Sequence, residues 1–170
     1  MRATLWSFAF LVVIGFGSLL TALVRNAPPW TEPPGPFARL GTYLSTHVAE
    51  TNAASPFPEL QPRRYANVLP DHLLGLVDQA ATKLGWQVLQ RDVQRHTLRA
   101  VVTTPMMQFQ DDVGISIVAT EDKRGSVLFV RAESRVGRGD LAGNTRHILD
   151  LYAQLDAVVP PPETAWHAGR

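Results

Sequence analysis

Residues 113–134 read VGISIVATEDKRGSVLFVRAES, and the fold turns on them. Val113 to Thr120 and Ser126 to Ser134 alternate apolar with small or polar side chains, the period of half-buried strands. The charged turn Glu121-Asp122-Lys123-Arg124-Gly125 between them is too short for a crossover, so the two strands pair antiparallel. Upstream, His96 to Thr103 alternates likewise, with Leu98, Ala100 and Val102 on one face and Thr97, Arg99 and Thr103 on the other. Trp86 to Arg91 completes a four-strand meander. Ahead of it lie a strand at Arg64 to Asn67 and a helix opening at Pro70-Asp71. That helix carries Leu73, Leu76, Val77, Ala80, Ala81 and Leu84 at helical spacing and stops at Gly85. Downstream, a second helix starts near Asp140 with Leu141, Ile148, Leu151, Tyr152 and Leu155 on one stripe, and Pro160-Pro161-Pro162 ends it. The order strand, helix, four strands, helix predicts a two-layer α+β fold over residues 59–159. Its sheet is mainly antiparallel, both helices lie on one face, and residues 160–170 form a tail.

The N-terminal part has a different character. Leu5 to Val24 is an uncharged run of 20 residues bracketed by Arg2 and Arg25. At about 1.5 Å rise per residue it reaches roughly 30 Å, the thickness of a bilayer's hydrocarbon core. A cleaved signal peptide has a shorter apolar region, about 7–15 residues, and no small-x-small site follows this run. Trp6, Phe8, Phe10 and Phe16 leave it no polar face. The reading is a short tail (1–4), a transmembrane helix (5–24) in contact with lipid, and a Pro-rich spacer (25–58). Pro28, Pro29, Pro33, Pro34, Pro36, Pro56 and Pro58 make that spacer extended. Leu40 to Glu50 allows a short helix within it. Trp30 and Phe37 either sit at headgroup level or pack on the domain. Arg2 and the α-amino group nearly balance Arg25 and Arg39, and the domain is expected outside the cytoplasm.

Composition removes several function classes. The 16 Lys+Arg and 15 Asp+Glu of 170 residues give a net charge of +1, which is no footprint for nucleic acid. The absence of cysteine excludes disulfides, thiolate catalysis, iron–sulfur ligation and a lipoprotein anchor. The five histidines (His47, His72, His96, His147, His167) show no metal spacing and read as surface residues. No Gly-rich phosphate loop or nucleophile elbow occurs. No metal or cofactor is expected. Met106-Met107 and Phe109 fill core, line a loop or meet a partner.

Two clusters are candidate sites. In Arg135-Val136-Gly137-Arg138-Gly139-Asp140 a strand leaves through two glycines and enters a helix. Free N–H groups at a helix start, with guanidinium groups beside them, suit a phosphate or carboxylate. Asp140 can instead cap the helix and fill the anion's place, a role asparagine would serve about equally. The second cluster is Asp111-Asp112. Neighbours on a strand point to opposite faces, so they cannot act as one acid/base pair, and one of them is expected to pair with Arg135 or Arg138. No third carboxylate or histidine is near in sequence to complete a metal site.

The string Ser134-Arg135-Val136-Gly137-Arg138-Gly139-Asp140-Leu141, followed by Asn144, Arg146 and Ile148, resembles the signature of the bacterial family called domain of unknown function 1499. Pro62-Arg63 with Tyr65, Gly85-Trp86, Thr103-Thr104, and Phe109 with Asp111-Asp112-Val113 also match, so the resemblance spans Pro56 to Val158. Ala132 and the order Ala142-Gly143 depart from the family's usual serine and glycine-first order. The resemblance implies a membrane or export segment, a spacer and a domain, and it lends no activity.

The combined expectation is a single-pass protein of the bacterial inner membrane with a periplasmic domain. It would be a binding or assembly module of the cell envelope rather than an enzyme, presenting Arg99, Thr103, Arg131, Glu133 and Arg135 on the uncovered sheet face to an envelope partner. The alternative is an enzyme or binder acting on a phosphorylated or carboxylated small molecule, with Asp112 as base and Arg135 and Arg138 as clamps. Candidate residues are thus Arg135, Arg138, Asp140, Asn144 and Arg146 at the junction, and the carboxylates Asp111 and Asp112.

Overall fold

The computed structural model describes residues 2–105 and 108–159. In chain order the elements are helix α1 (Arg2–Asn26), helix α2 (Pro36–Ser45), strand β1 (Val48–Glu50), a 3-10 turn (Pro58–Leu60), β2 (Arg63–Tyr65), α3 (Pro70–Lys83), β3 (Gln87–Asp92), β4 (Thr97–Thr103), β5 (Gln110–Ala119), β6 (Ser126–Ser134) and α4 (Gly143–Asp156). Met106-Met107, the stop at Pro160-Pro161-Pro162 and the tail lie outside the described residues.

The fold is α+β with one antiparallel sheet in the order β1-β6-β5-β4-β3. β5 and β6 pair from Asp111↔Ser134 to Ala119↔Ser126, and β4 and β5 pair from Thr97↔Ser116 to Thr103↔Gln110. The second edge of β6 is shared. Its residues 131–133 take β1 and its residues 126–128 take β2. Thr51 fills the gap: its N–H donates to the Val130 carbonyl at 2.9 Å, and its hydroxyl accepts the Val130 N–H at 2.8 Å.

Alternation buries Leu98, Ala100, Val113, Ile115, Ile117, Leu128, Val130 and Ala132 on one face of the sheet. Leu73, Val77 and Ala81 of α3 and Ile148, Leu151, Tyr152 and Leu155 of α4 cover them. This is the expected pair of helices on one layer, each burying one stripe. Pro70 opens α3, and Gly85 at φ 74° follows its end, as the sequence suggests.

The segment read as an extended spacer is a correction. Within residues 25–58 the chain forms α2 and β1, so the sheet gains a sixth strand. Arg39 and Tyr43, one turn apart on α2, are both buried. The Arg39 guanidinium pairs with the Glu59 carboxylate and donates to the Tyr43 hydroxyl (3.1 Å) and the Glu32 and Pro33 carbonyls (3.2 and 2.6 Å). It also lies over the Phe57 ring, 5.1 Å from its centroid. Trp30 packs edge-on against Tyr43 at 5.9 Å, whereas Phe37 is 91 % exposed. Prolines therefore shape turns here that one buried cation gathers together.

Helix α1 begins at Arg2 rather than after a tail, and it runs on to Asn26. Among the described residues no helix is long and apolar enough to cross a membrane. The side chains of Leu5, Ser7, Phe8, Ala9, Leu11 and Phe16 lie outside those residues.

Candidate functional site

The loop after β6 is where four elements meet. Gly137 has φ 100°, a backbone state that glycine adopts without strain. Gly139 serves a different need. A Cβ there would fall 2.5 Å from the Leu44 carbonyl oxygen and 2.9 Å from that of Tyr43, so only glycine lets the loop reach the end of α2. The contact is then bonded, because Asp140 N–H donates to the Thr46 carbonyl (3.2 Å) and Leu141 N–H to that of Tyr43 (3.1 Å). These bonds satisfy carbonyls that the end of a helix leaves free. The Asn26 amide, at the end of α1, donates to the Leu141 carbonyl at 2.7 Å.

Helix α4 starts at Gly143, three residues later than expected, because Leu141 and Ala142 take positive φ (53° and 68°). Asp140 still caps it, from outside. One carboxylate oxygen accepts the Ala142 N–H (3.1 Å) and the other the Asn144 N–H (2.7 Å). Burial pushes this carboxyl above the ordinary aspartate range, against the backbone hydrogen bonds, which pull it down. Since the two N–H groups use different oxygens, asparagine could serve only one. Asp140→Ala should therefore cost about 1–2 kcal/mol, and Asp140→Asn should fall between alanine and wild type. Urea unfolding checks the order; an asparagine variant as stable as wild type would show that one acceptor suffices.

The junction candidates diverge. Asn144 is buried, and its amide donates to the His47 carbonyl (2.8 Å) and the Ser134 hydroxyl (2.9 Å), tying α4 to β6 and the start of β1. Arg146 pairs with Asp150 one turn along α4, at 2.6 Å. Arg138 is exposed and in no ion pair among the described residues. Arg135 turns to the uncovered sheet face, where it clasps Asp112 at 2.8 and 2.7 Å and also donates to the Gln110 side chain. Its hydrogen bonds hold the Asp112 carboxyl below the ordinary range. Both side chains are 43 % exposed, so solvent screens the pair strongly.

Asp111 points the opposite way, as strand alternation requires, and is buried. It meets His147 Nε2 at 2.9 Å and bonds to Ser134, its partner across the β5–β6 ladder. Burial alone would raise this carboxyl, but the His147 and Ser134 hydrogen bonds outweigh it and hold the group low. His147 is thus not the surface histidine of the sequence reading: its side chain is 14 % exposed, and its ring packs edge-on to Trp86 at 6.2 Å. A helical signal was available, since His147 lies one turn beyond Asn144 and next to the stripe of Ile148 and Leu151. Chemically the trio is a carboxylate orienting an imidazole and a hydroxyl. The serine is bonded to Asp111 rather than to the imidazole, so it lacks the base that would activate it. Among the described residues no three His, Asp or Glu side chains gather as a metal site.

The uncovered face carries a second arrangement. Arg99, Gly114 and Arg131 stand in one cross-strand row, and Thr97, Ser116 and Phe129 in the next. Around Gly114 they line an open trough of about 420 Å³. Arg131 is engaged by Glu133 at 2.8 Å and Glu50 at 3.7 Å.

No curated protein matches the chain. The resemblance carried by the Ser134 to Ile148 string and its companions is borne out over most of the folded part: the model of a family described as protein of unknown function (DUF1499) matches residues 42–155, and the chain belongs to that family.

Proposed function

We propose that this protein is a single-pass, membrane-tethered binding module of the bacterial inner membrane. Its domain lies outside the cytoplasm and presents the uncovered sheet face to an envelope partner, without catalysis. The observation that carries the reading is α1. Its 25 residues reach about 37 Å, enough for a hydrocarbon core of about 30 Å. Val12, Val13 and Ile14, successive residues and so about 100° apart around the helix, are 52, 69 and 50 % exposed. Exposed apolar side chains around much of a helix find their cover in lipid or in another chain rather than in water. The exposed ring of Phe37, shortly after α1, suits a headgroup layer.

The enzymatic alternative has less behind it. Asp112 and Arg135 occupy each other, and among the described residues Arg138 bonds to neither. The buried Asp111 and His147 face the helices, on the other side of the sheet.

Alkaline carbonate extraction of native membranes tests the anchor. The full chain should remain in the pellet with its N-terminus intact. Recovery of a soluble chain starting after Ala22 or Ala27 would replace the anchor by a cleaved leader.

A further inference from the structure

Gly114 lies in the interior of β5, where glycine weakens a strand relative to alanine. The fold gives no reason for it. Its φ is not in the left-handed region, and a Cβ built on it would touch only the Arg131 carbonyl oxygen, at an ordinary 4.0 Å. A side chain would fit the protein; what it would fill is the trough. A strand glycine with no packing or conformational need marks a place where another molecule approaches the backbone.

The trough walls indicate what approaches. Among the described residues Arg131 and Arg135 of this face are in ion pairs, while Arg99, across the row from Arg131, is in none. A guanidinium in no ion pair on the rim, although its charge helps hold the Asp112 carboxyl low, can still meet a phosphate or carboxylate with two parallel donors. The Thr97 and Ser116 hydroxyls lie on the same side, and the Phe129 ring forms an apolar wall. A volume of about 420 Å³ holds a sugar or polyol but no folded segment.

The geometry points to a binding site for an anionic polyol or sugar, its phosphate or carboxylate on Arg99 and its body on the bare backbone of Gly114 against Phe129. This rests on the open-face reading above and gives that face a specific ligand chemistry.

The test uses the full chain in neutral detergent. Thermal unfolding is measured against glycerol 3-phosphate, glucuronate and dihexanoylphosphatidylglycerol, with dihexanoylphosphatidylcholine as the zwitterionic control. At least one anionic probe should raise Tm saturably, since a ligand of the native state alone stabilises it. A response to the short-chain lipid alone makes the source a lipid headgroup; a response to the soluble acids makes it a free ligand. Gly114→Val should fold with Tm equal to or above that of wild type and lose the response. Arg99→Gln should weaken apparent affinity by about tenfold, as loss of one charge-assisted contact does. Val118→Ala, exposed on the same face of β5 but outside the trough, should keep the response. Failure of every probe, or a response that survives in Gly114→Val, overturns the trough. If Val118→Ala abolishes binding while Gly114→Val spares it, the face still binds but this site does not.

Discussion

Arg39→Ala should destabilise the protein by about 3–5 kcal/mol, the usual cost of removing one partner of a buried ion pair. The argument is that of an abandoned charge. The side chains of Arg39 and Glu59 are 0 and 2 % exposed, so without the guanidinium the Glu59 carboxylate stays in a site that water does not reach. The Glu32 and Pro33 carbonyls and the Tyr43 hydroxyl lose their donor as well. Arg39→Lys should rescue little, because an ammonium cannot reproduce a planar fork serving several acceptors. Arg39→Met combined with Glu59→Met should recover much of the loss, since no uncompensated charge then remains. Denaturant unfolding of the full chain in detergent measures all three. A single Arg39→Ala variant within about 0.5 kcal/mol of wild type, the range of ordinary surface changes, would mean that residues 28–60 are not part of the cooperative unit.

Trp86→Ala is the second large effect, at about 3–5 kcal/mol. The indole sits just before β3, 7 % exposed, in the core between α3 and the sheet and edge-on to His147. Truncation leaves a large cavity and removes one wall of the Asp111–His147 pair. Trp86→Phe should be much milder, because an aromatic ring still fills most of the space. Thermal unfolding followed by far-ultraviolet circular dichroism is the check. An alanine variant melting with wild type would show that the ring carries no packing.

What the sequence made legible was the local part of the fold. The alternation around Leu98, Ile115 and Val130, the charged turn before Gly125, and Pro70 and Gly85 as the punctuation of α3 each need only near neighbours to be read. β1 could not be found that way: its three residues are a strand only because Arg131 to Glu133 lie beside them. Arg39 in a Pro-rich stretch looks like a linker charge until Glu59 is placed against it. The candidate site divides along the same line. The opposite faces of Asp111 and Asp112, the capping by Asp140 and the pairing of Asp112 with Arg135 follow from strand and helix geometry. The Asp111–His147 contact does not, for it joins β5 to α4 across the core. The trough is hidden for another reason: an isolated glycine in a strand does not reveal from sequence whether its space is filled.

The shared edge of β6 sets an order of events during synthesis. β1 and β2 leave the ribosome early, yet both pair only with β6, which follows α3 and three further strands. Until then their backbone donors and acceptors have no native partner, and such edges recruit other chains. Closure of the sheet is thus a late and non-local step, of the kind that slows folding. A polypeptide that stops short of Ser126 carries two orphan strands, and one that reaches Ser134 can place both at once.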